Sequence, residues 1–270
     1  EQNSDNVTVV ADTPNGDRSY MGNWLIGADG ANSIVRQLSG INFEGFTWEE
    51  KFLVVSTTYD YKKYIKNLSY VNYYADPQQW FFLLKVPGLW RVMFPVQKEE
   101  NEADIFGAEC VENRMQWVQA SPKTFEIAHR TLYKVHQRVA AKYREGRIFL
   151  IGDAAHINNP LGGMGMNGGI HDAFNLAEKI SLFWHNQKNS SVLDLYEKQR
   201  RPIALEYVNK QSIKNKQNLE ANTLEAQEAF RVFLSELMED QSRAREYMMR
   251  VSMISSLREA RRNNYFSNRS

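Results

Sequence analysis

The sequence predicts a mixed α/β (α+β) fold, and three observations carry that reading. A short apolar run, Arg147–Ile151, ends in Gly152-Asp153 and leads through a glycine-rich loop into a helix-like segment. That order suits a buried strand of an open α/β layer, whose ligands sit beyond the strand's carboxyl end. The stretch from Phe43 to Val96 is rich in β-branched and aromatic residues broken by turn signals, the pattern of an antiparallel or mixed sheet. Everything after Leu193 is charged and helical in pattern. The expected division is therefore two parts of one α/β domain at 1–42 and 136–202, a β-rich domain at 43–135 and a helical region at 203–270.

Each element has its own signal. Val7–Ala11 and Ser19–Ile26 flank Asn15-Gly16, a hairpin signature. Gly27-Ala28-Asp29-Gly30 makes a turn, and Ala31–Leu38 a short helix closed by Ser39-Gly40. Phe52–Tyr61, Ser69–Tyr74, Trp80–Val86 and Leu89–Val96 read as strands, the last two joined through Pro87-Gly88 in a type II turn. Glu102–Ala120 carries Ile105, Ala108, Met115 and Val118 near helical spacing. Phe125–Val135 reads as a strand and Val139–Glu145 as a connector. A helix starting near Met166 would place Ile170, Ala173, Phe174, Ala177, Ile180, Ser181 and Trp184 on one apolar face. A basic, polar tail begins at Arg258.

Composition narrows the function. The chain has 270 residues, 43% of them hydrophobic, enough to bury a sizeable core. Lys plus Arg is 33 against 32 for Asp plus Glu, which gives no electrostatic reason for a nucleic-acid or acidic-membrane partner. The single cysteine, Cys110, cannot form an internal disulfide and reads as a small hydrophobe in a helix; a reducing, cytoplasmic setting follows. No apolar run is long enough for a membrane span and no signal peptide is visible. No His/Cys ligand cluster exists: His129 and His136 lie in extended or irregular chain, and His156, His171 and His185 have no partnered cysteine, so no metal is expected. The polar start, EQNSDN without a leading Met, suggests a chain cut from something longer.

The chemistry concentrates between Gly146 and Lys179. Asp153 stands at a strand end, where a carboxylate can accept hydrogen bonds from sugar-like hydroxyls. Gly162, Gly163 and Gly165 let backbone approach a flat ring closely. The helix that follows aims free N–H groups and its positive dipole end at the ligand, suiting an anionic ring or a phosphate. Gly163-Met164-Gly165-Met166-Asn167-Gly168 also matches the dinucleotide fingerprint by letter. That fingerprint requires its glycines directly after the strand, and here Asp153 to Gly162 intervene. A ring cradle is the better reading.

These residues resemble the class A flavoprotein monooxygenases, the para-hydroxybenzoate hydroxylase-like family. GRIFLIGDAAH looks like that family's second FAD motif. PLGGMGMNGGIHDAFNL is similar to its extension, and LIGADGANSIVR, Leu25 to Arg36, to its D-G motif. The two motifs stand in the family order, about 120 residues apart, and the resemblance runs from Val7 to about Arg201, taking in YEKQRRP at Tyr196–Pro202. It implies a partial FAD-binding domain of that type with a substrate domain and C-terminal helices. It implies that Asp153 after Gly152 bonds the ribityl chain, that Pro160 sits against the flavin ring, and that the backbone of Gly163, Gly165, Met166 and Asn167 faces the pyrimidine end. Asp29, Gly30 and Arg36 would lie near the cofactor, with a surface ion pair as the alternative for Arg36.

The implied reaction is hydroxylation of a small, phenol-like aromatic ring, with NAD(P)H reducing FAD and dioxygen supplying the oxygen atom. Tyr73, Trp80, Phe82, Arg91 and Phe94 are candidate substrate-domain wall residues, against the plainer reading of each as sheet core. No phenol-deprotonating base is assigned, and a homodimer is left open. The family's N-terminal G-x-G-x-x-G unit is absent, so the chain is expected to bind FAD weakly or not at all by itself. Two other functions stay open. One is a different flavin enzyme of the same fold, a halogenase or an isoprenoid reductase. The other is a non-catalytic module whose C-terminal helices bind a partner.

Overall fold

The structure, a computed structural model, describes residues 1–76, 78–185, 189–221 and 223–262. The end of the basic tail, beyond Arg262, lies outside the described residues. The chain divides into two compact units. One holds Glu1–Phe46, His136–Lys214 and the segment from Leu237; the other holds Thr47–Val135 and Asn215–Glu236.

In the first unit, β1 (Val7–Ala11) and β2 (Arg18–Gly22) pair antiparallel around Gly16, which sits at φ +89°. The run expected over Ser19–Ile26 is broken at Asn23-Trp24, and β3 (Leu25–Gly27) joins a different sheet. Arg147 holds the break: its Nη1 donates to the Asn23 carbonyl at 2.9 Å. A short helix, α1 (Ile34–Leu38), follows β3; Ser33 is its N-cap, its Oγ accepting the Arg36 N–H at 2.9 Å. The helix is shorter than expected because Ala31 and Asn32 remain in the turn before that cap. The second sheet runs β3–β10–β9, with β9 (Arg144–Glu145) antiparallel and β3 parallel to β10 (Ile148–Leu150). All three residues of β10 are buried, as an apolar parallel strand should be.

Three helices meet that strand's carboxyl end or continue from it. The first, α4 (Met164–His185), starts two residues before the expected Met166. Its faces reverse the expectation. Ile170, Phe174 and Trp184 are 47%, 76% and 49% exposed, while Met164, Gly168, Asp172, Leu176 and Lys179 are buried. The second, α5 (Ser191–Ile203), is tied to the end of β10 by Tyr196, whose Oη donates to the Leu150 carbonyl at 2.6 Å. Pro202 removes a backbone donor, and the chain widens into a π-helical turn at Ala204–Asn209 before α6 (Lys210–Leu219). Helices α8 (Gln241–Val251) and α9 (Ile254–Arg262) complete the unit. Tyr143, Phe149, Leu150, Leu176 and Tyr196 form its core.

The second unit is built on strands β4 (Phe43–Thr57), β5 (Val71–Tyr74), β6 (Phe81–Val86), β7 (Leu89–Val96) and β8 (Ile127–Ala140), in the order β8–β4–β7–β6–β5. Both β4 and β8 are longer than expected. Val139 and Ala140 belong to β8 instead of a connector, because β11 (His156–Ile157) pairs with them: His156 stands opposite Val139. The Pro87-Gly88 turn joins β6 to β7 with Gly88 at φ +74°, as a type II turn requires. One helix was expected over Glu102–Ala120; the chain forms α2 (Glu102–Ile105) and α3 (Ala108–Val118), separated at Phe106-Gly107. The break turns Val111 and Met115 inward beside Ile105 and leaves Ala108 exposed. Here α7 (Leu224–Glu239) begins.

Alternation along the strands gives this sheet two unlike faces. Leu53, Val55, Phe81, Leu83, Trp90, Val92 and Phe94 pack with Ile105, Val111 and Met115 of the helices. Register places Tyr73, Phe82 and Met93 side by side on the other face, with Arg91 paired to Leu84 two positions along.

Candidate functional site

The two glycine-containing turns of the first unit meet. The first follows β3 and the second follows β10, so the parallel pairing of these strands brings both turns to the same sheet end. Arg36 joins them. Its Nη2 donates to the Ala31 carbonyl and its Nη1 to the Ala154 carbonyl, each at 2.8 Å, and the guanidinium lies 3.8 Å from the Phe43 ring centroid. At 5% exposure Arg36 is no surface ion pair. Asp29 organises the first turn. It accepts the Ser33 hydroxyl at 2.5 Å and the Val35 N–H at 3.1 Å. Burial raises its pKa, but these bonds hold the carboxyl below its ordinary value. Gly30 follows at φ +81°, and a side chain there would meet open space.

The second turn is tighter. Gly152 sits at φ +59° and starts a 3-10 turn through Ala154. Asp153 projects from it, exposed, with no hydrogen-bond partner among the described residues. Its carboxylate is thus available to a hydroxyl-bearing ligand. Leu161 N–H donates to Asn159 Oδ1 (3.0 Å), and Asn159 N–H to Gln137 Oε1 (3.0 Å), anchoring the next stretch. Pro160 accepts the Gly163 N–H at 3.0 Å, closing a turn whose Gly162 and Gly163 lie at φ +100° and +64°. Nothing lies within 4 Å of the place a Gly163 Cβ would occupy. Gly162, Gly163, Met166 and Asn167 are exposed at the start of α4, whose N-terminal N–H groups and dipole favour an anionic edge. Asn167 Nδ2 braces the turn through the Gly163 carbonyl (3.1 Å). Open left-handed glycines, a free carboxylate and a helix N-terminus fit one face of a flavin.

Beneath this loop is a buried polar cluster without an assigned role in the sequence reading. Asp172, fully buried on α4, accepts the Gly152 N–H at 3.2 Å and the Arg200 Nε–H at 2.7 Å, and lies 2.9 Å from His156 Nε2. Burial pushes its carboxyl up, but His156 and Arg200 outweigh that and hold it below the ordinary value. Nearby, His171 is held low by burial and by Arg200. The letters of the three motifs contain these residues, but only the packing of β11, α4 and α5 joins them.

In the second unit, Tyr73, Phe82 and Arg91 share the face away from α2 and α3, with Trp80 beside them stacked edge-on against Phe52 at 5.4 Å. Trp80 is buried and donates to Glu220 Oε1 at 3.2 Å. Phe94 has the opposite parity and is fully buried in the helix-backed core, so alternation separates it from the other four. A residue missed in the sequence joins this face. Tyr133 stacks edge-on with Phe52 at 6.0 Å and its hydroxyl lies 3.3 Å from Met93 Sδ. Burial raises the Tyr133 phenol to about 12, opposed by the Arg91 charge. Its only sequence signal is a tyrosine at the right parity in β8. Among the described residues, no group of three or more His, Cys, Asp or Glu could hold a metal ion, and no helix is long and apolar enough to cross a membrane.

The chain is similar to known proteins. Residues 1–211 match the FAD binding domain family. The para-nitrophenol 4-monooxygenase of a Pseudomonas strain is 34% identical over 212 residues, 77% of this chain and 52% of that protein. The pentachlorophenol 4-monooxygenase of Sphingobium chlorophenolicum is 33% identical over 183 residues, 67% of this chain and 34% of that protein. The crystal structure of p-nitrophenol 4-monooxygenase from Pseudomonas putida superimposes with a TM-score of 0.86 at 29% identity, over 95% of this chain and 65% of that one. The chain spans about half the length of the first of these sequence relatives and about a third of the second. It belongs to the FAD binding domain family, among the class A flavoprotein monooxygenases.

Proposed function

We propose that the intact protein is an FAD-dependent monooxygenase that hydroxylates a small phenol-like ring, using NAD(P)H and dioxygen. The observation that carries this reading is the Arg36 bridge, which holds the Asp29-Gly30 turn against the Gly152-Asp153 loop. In this reading Asp153 holds the ribityl chain, and Pro160 and the backbone of Gly163, Gly165, Met166 and Asn167 line the flavin ring. The bound flavin supplies the redox and oxygen-transfer chemistry; the chain binds, orients and excludes water. Residues 1–42 and 136–202 serve the cofactor, 43–135 the substrate, and 203–270 form the helical region. Tyr73, Trp80, Phe82 and Arg91, with Tyr133 added, are the candidate substrate wall, and Phe94 is left out.

Two observations support the reading further. The named relatives act on p-nitrophenol and pentachlorophenol, both phenols, which favours hydroxylation over halogenation or isoprenoid reduction. The apolar face of α4 is exposed at Ile170 and Phe174, and Ile34 and Leu38 of α1 are exposed by 65% and 84%. Such surface suits burial under further chain that completes the cofactor site, and the relatives have that length. The test is the intact protein with NADH or NADPH and a panel of phenols. Phenol-stimulated NAD(P)H oxidation giving a hydroxylated product is expected in wild type and abolished in Asp153→Ala. Full activity in that variant removes Asp153 from the site.

A further inference from the structure

We propose that Asp172 is a positioning residue for the flavin loop, acting through Gly152 with His156 and Arg200 as its partners. The inference rests on the FAD reading of that loop and adds residues to it.

Three donors from three separate segments converge on one carboxylate. Gly152 N–H comes from the strand exit at 3.2 Å, His156 Nε2 from β11 at 2.9 Å, and Arg200 Nε from α5 at 2.7 Å. Arg200 returns to α4 as well, its Nη2 reaching the Gly168 carbonyl at 3.3 Å. Asp172 lies between Gly168 and Leu176 on the buried side of α4, where an apolar residue would pack without the penalty of a buried charge. What the carboxylate adds is a grip on the loop. Gly152 immediately precedes Asp153, and its left-handed backbone sets the direction in which Asp153 leaves the strand. The grip is close on both sides. A Cβ on Gly169 would come within 3.0 Å of Gly152 Cα, and one on Gly168 within 2.9 Å of His156 Cε1. Loop and helix therefore leave each other little room to move. Orientation of a ligand-holding group by partners behind it is a general way to preorganise a site.

Asp172→Asn discriminates positioning from mere support. The amide has one oxygen. Arg200, being charged, takes it, and the amide NH2 then confronts the Gly152 N–H. Adding Arg200→Met frees that oxygen for Gly152. The intact protein is compared as wild type, Asp172→Asn, Asp172→Asn/Arg200→Met and Phe149→Leu, a core control with no polar tie to the loop. The readouts are FAD dissociation constant, visible circular dichroism of the bound flavin and melting midpoint.

Asp172→Asn is expected to weaken FAD by about tenfold, the scale seen when the partner behind a ligand-holding group is removed. It should also change the flavin dichroism. The double variant should recover part of the affinity, and Phe149→Leu should lower only the midpoint. Unchanged FAD binding in Asp172→Asn, the same loss in Phe149→Leu, or a double variant no better than the single overturns the inference. A wild type that binds no FAD overturns the reading of the site instead. Should Asp172→Asn fail to fold, Gly169→Ala presses on the same Gly152 peptide from the helix side. It is expected to weaken FAD and alter the dichroism likewise, and unchanged values there overturn the inference.

Discussion

Arg36 and Asp172 are charged side chains buried in the first unit, and each holds backbone that belongs to another segment. Arg36 spends its guanidinium on two carbonyls, Ala31 and Ala154, which lie on different motifs. Arg36→Met is expected to lower stability by about 3 kcal/mol, the scale of losing charge-assisted hydrogen bonds, as read by urea denaturation. Arg36→Lys should recover little of it, because a point charge lacks the planar fork that reaches both oxygens. Asp172 makes an acid-dependent contribution. Its folded carboxyl titrates below the unfolded value of about 3.9, so its stabilisation is complete above that value and is lost as pH falls through the lower folded one. Denaturation of Asp172→Asn across the acid range should therefore show a flatter decline below about pH 4 than wild type. An identical decline would show that this carboxyl does not drive it. Asp153 could be singled out locally, because a carboxylate beside glycines at a strand end is a local pattern, and Asp29 through the resemblance of its motif. The Asp172–His156–Arg200 cluster could not. Its members are 16 and 28 positions apart, and only the approach of two helices and a short strand defines it.

Among the elements, the strands were the more legible and their ends the least. Alternation and the Pro87-Gly88 turn located β6 and β7 closely. The extension of β8 to Ala140 was hidden because it depends on a two-residue partner, β11, from a distant part of the chain. The helix from Met164 was visible, but its inward face was not. Periodicity identifies an apolar side and assumes that side is the one covered. Here the covered side carries Asp172 and Lys179, while Ile170 and Phe174 of the apolar side are exposed. Gly45 shows a constraint that no periodicity reveals. At φ +134°, a Cβ would lie 2.0 Å from the Gln137 carbonyl oxygen. Gly45→Ala is expected to destabilise by more than about 2 kcal/mol, combining backbone strain with overpacking. A melting midpoint equal to wild type would contradict the packing of β4 against β8 at that point.

At the scale of the whole molecule, the family was legible because two long motifs recur in order, and the chain's partial coverage of its relatives bears on how those motifs work. Exposed Phe174, Ile170, Ile34 and Leu38 present apolar surface that the intact protein should cover. The 270-residue chain alone is therefore expected to bind an apolar fluorescent dye strongly and the intact protein weakly; equal binding would contradict a covered face. In the proposed function the loop from Gly152 to Asn167 cradles the flavin ring. The most direct test is the flavin content of the intact protein, wild type beside Asp153→Ala, after identical purification. Stoichiometric FAD in the wild type and little or none in the variant is the expected result. A wild type that carries no flavin and takes none up on titration, or a variant that retains it in full, would contradict the account.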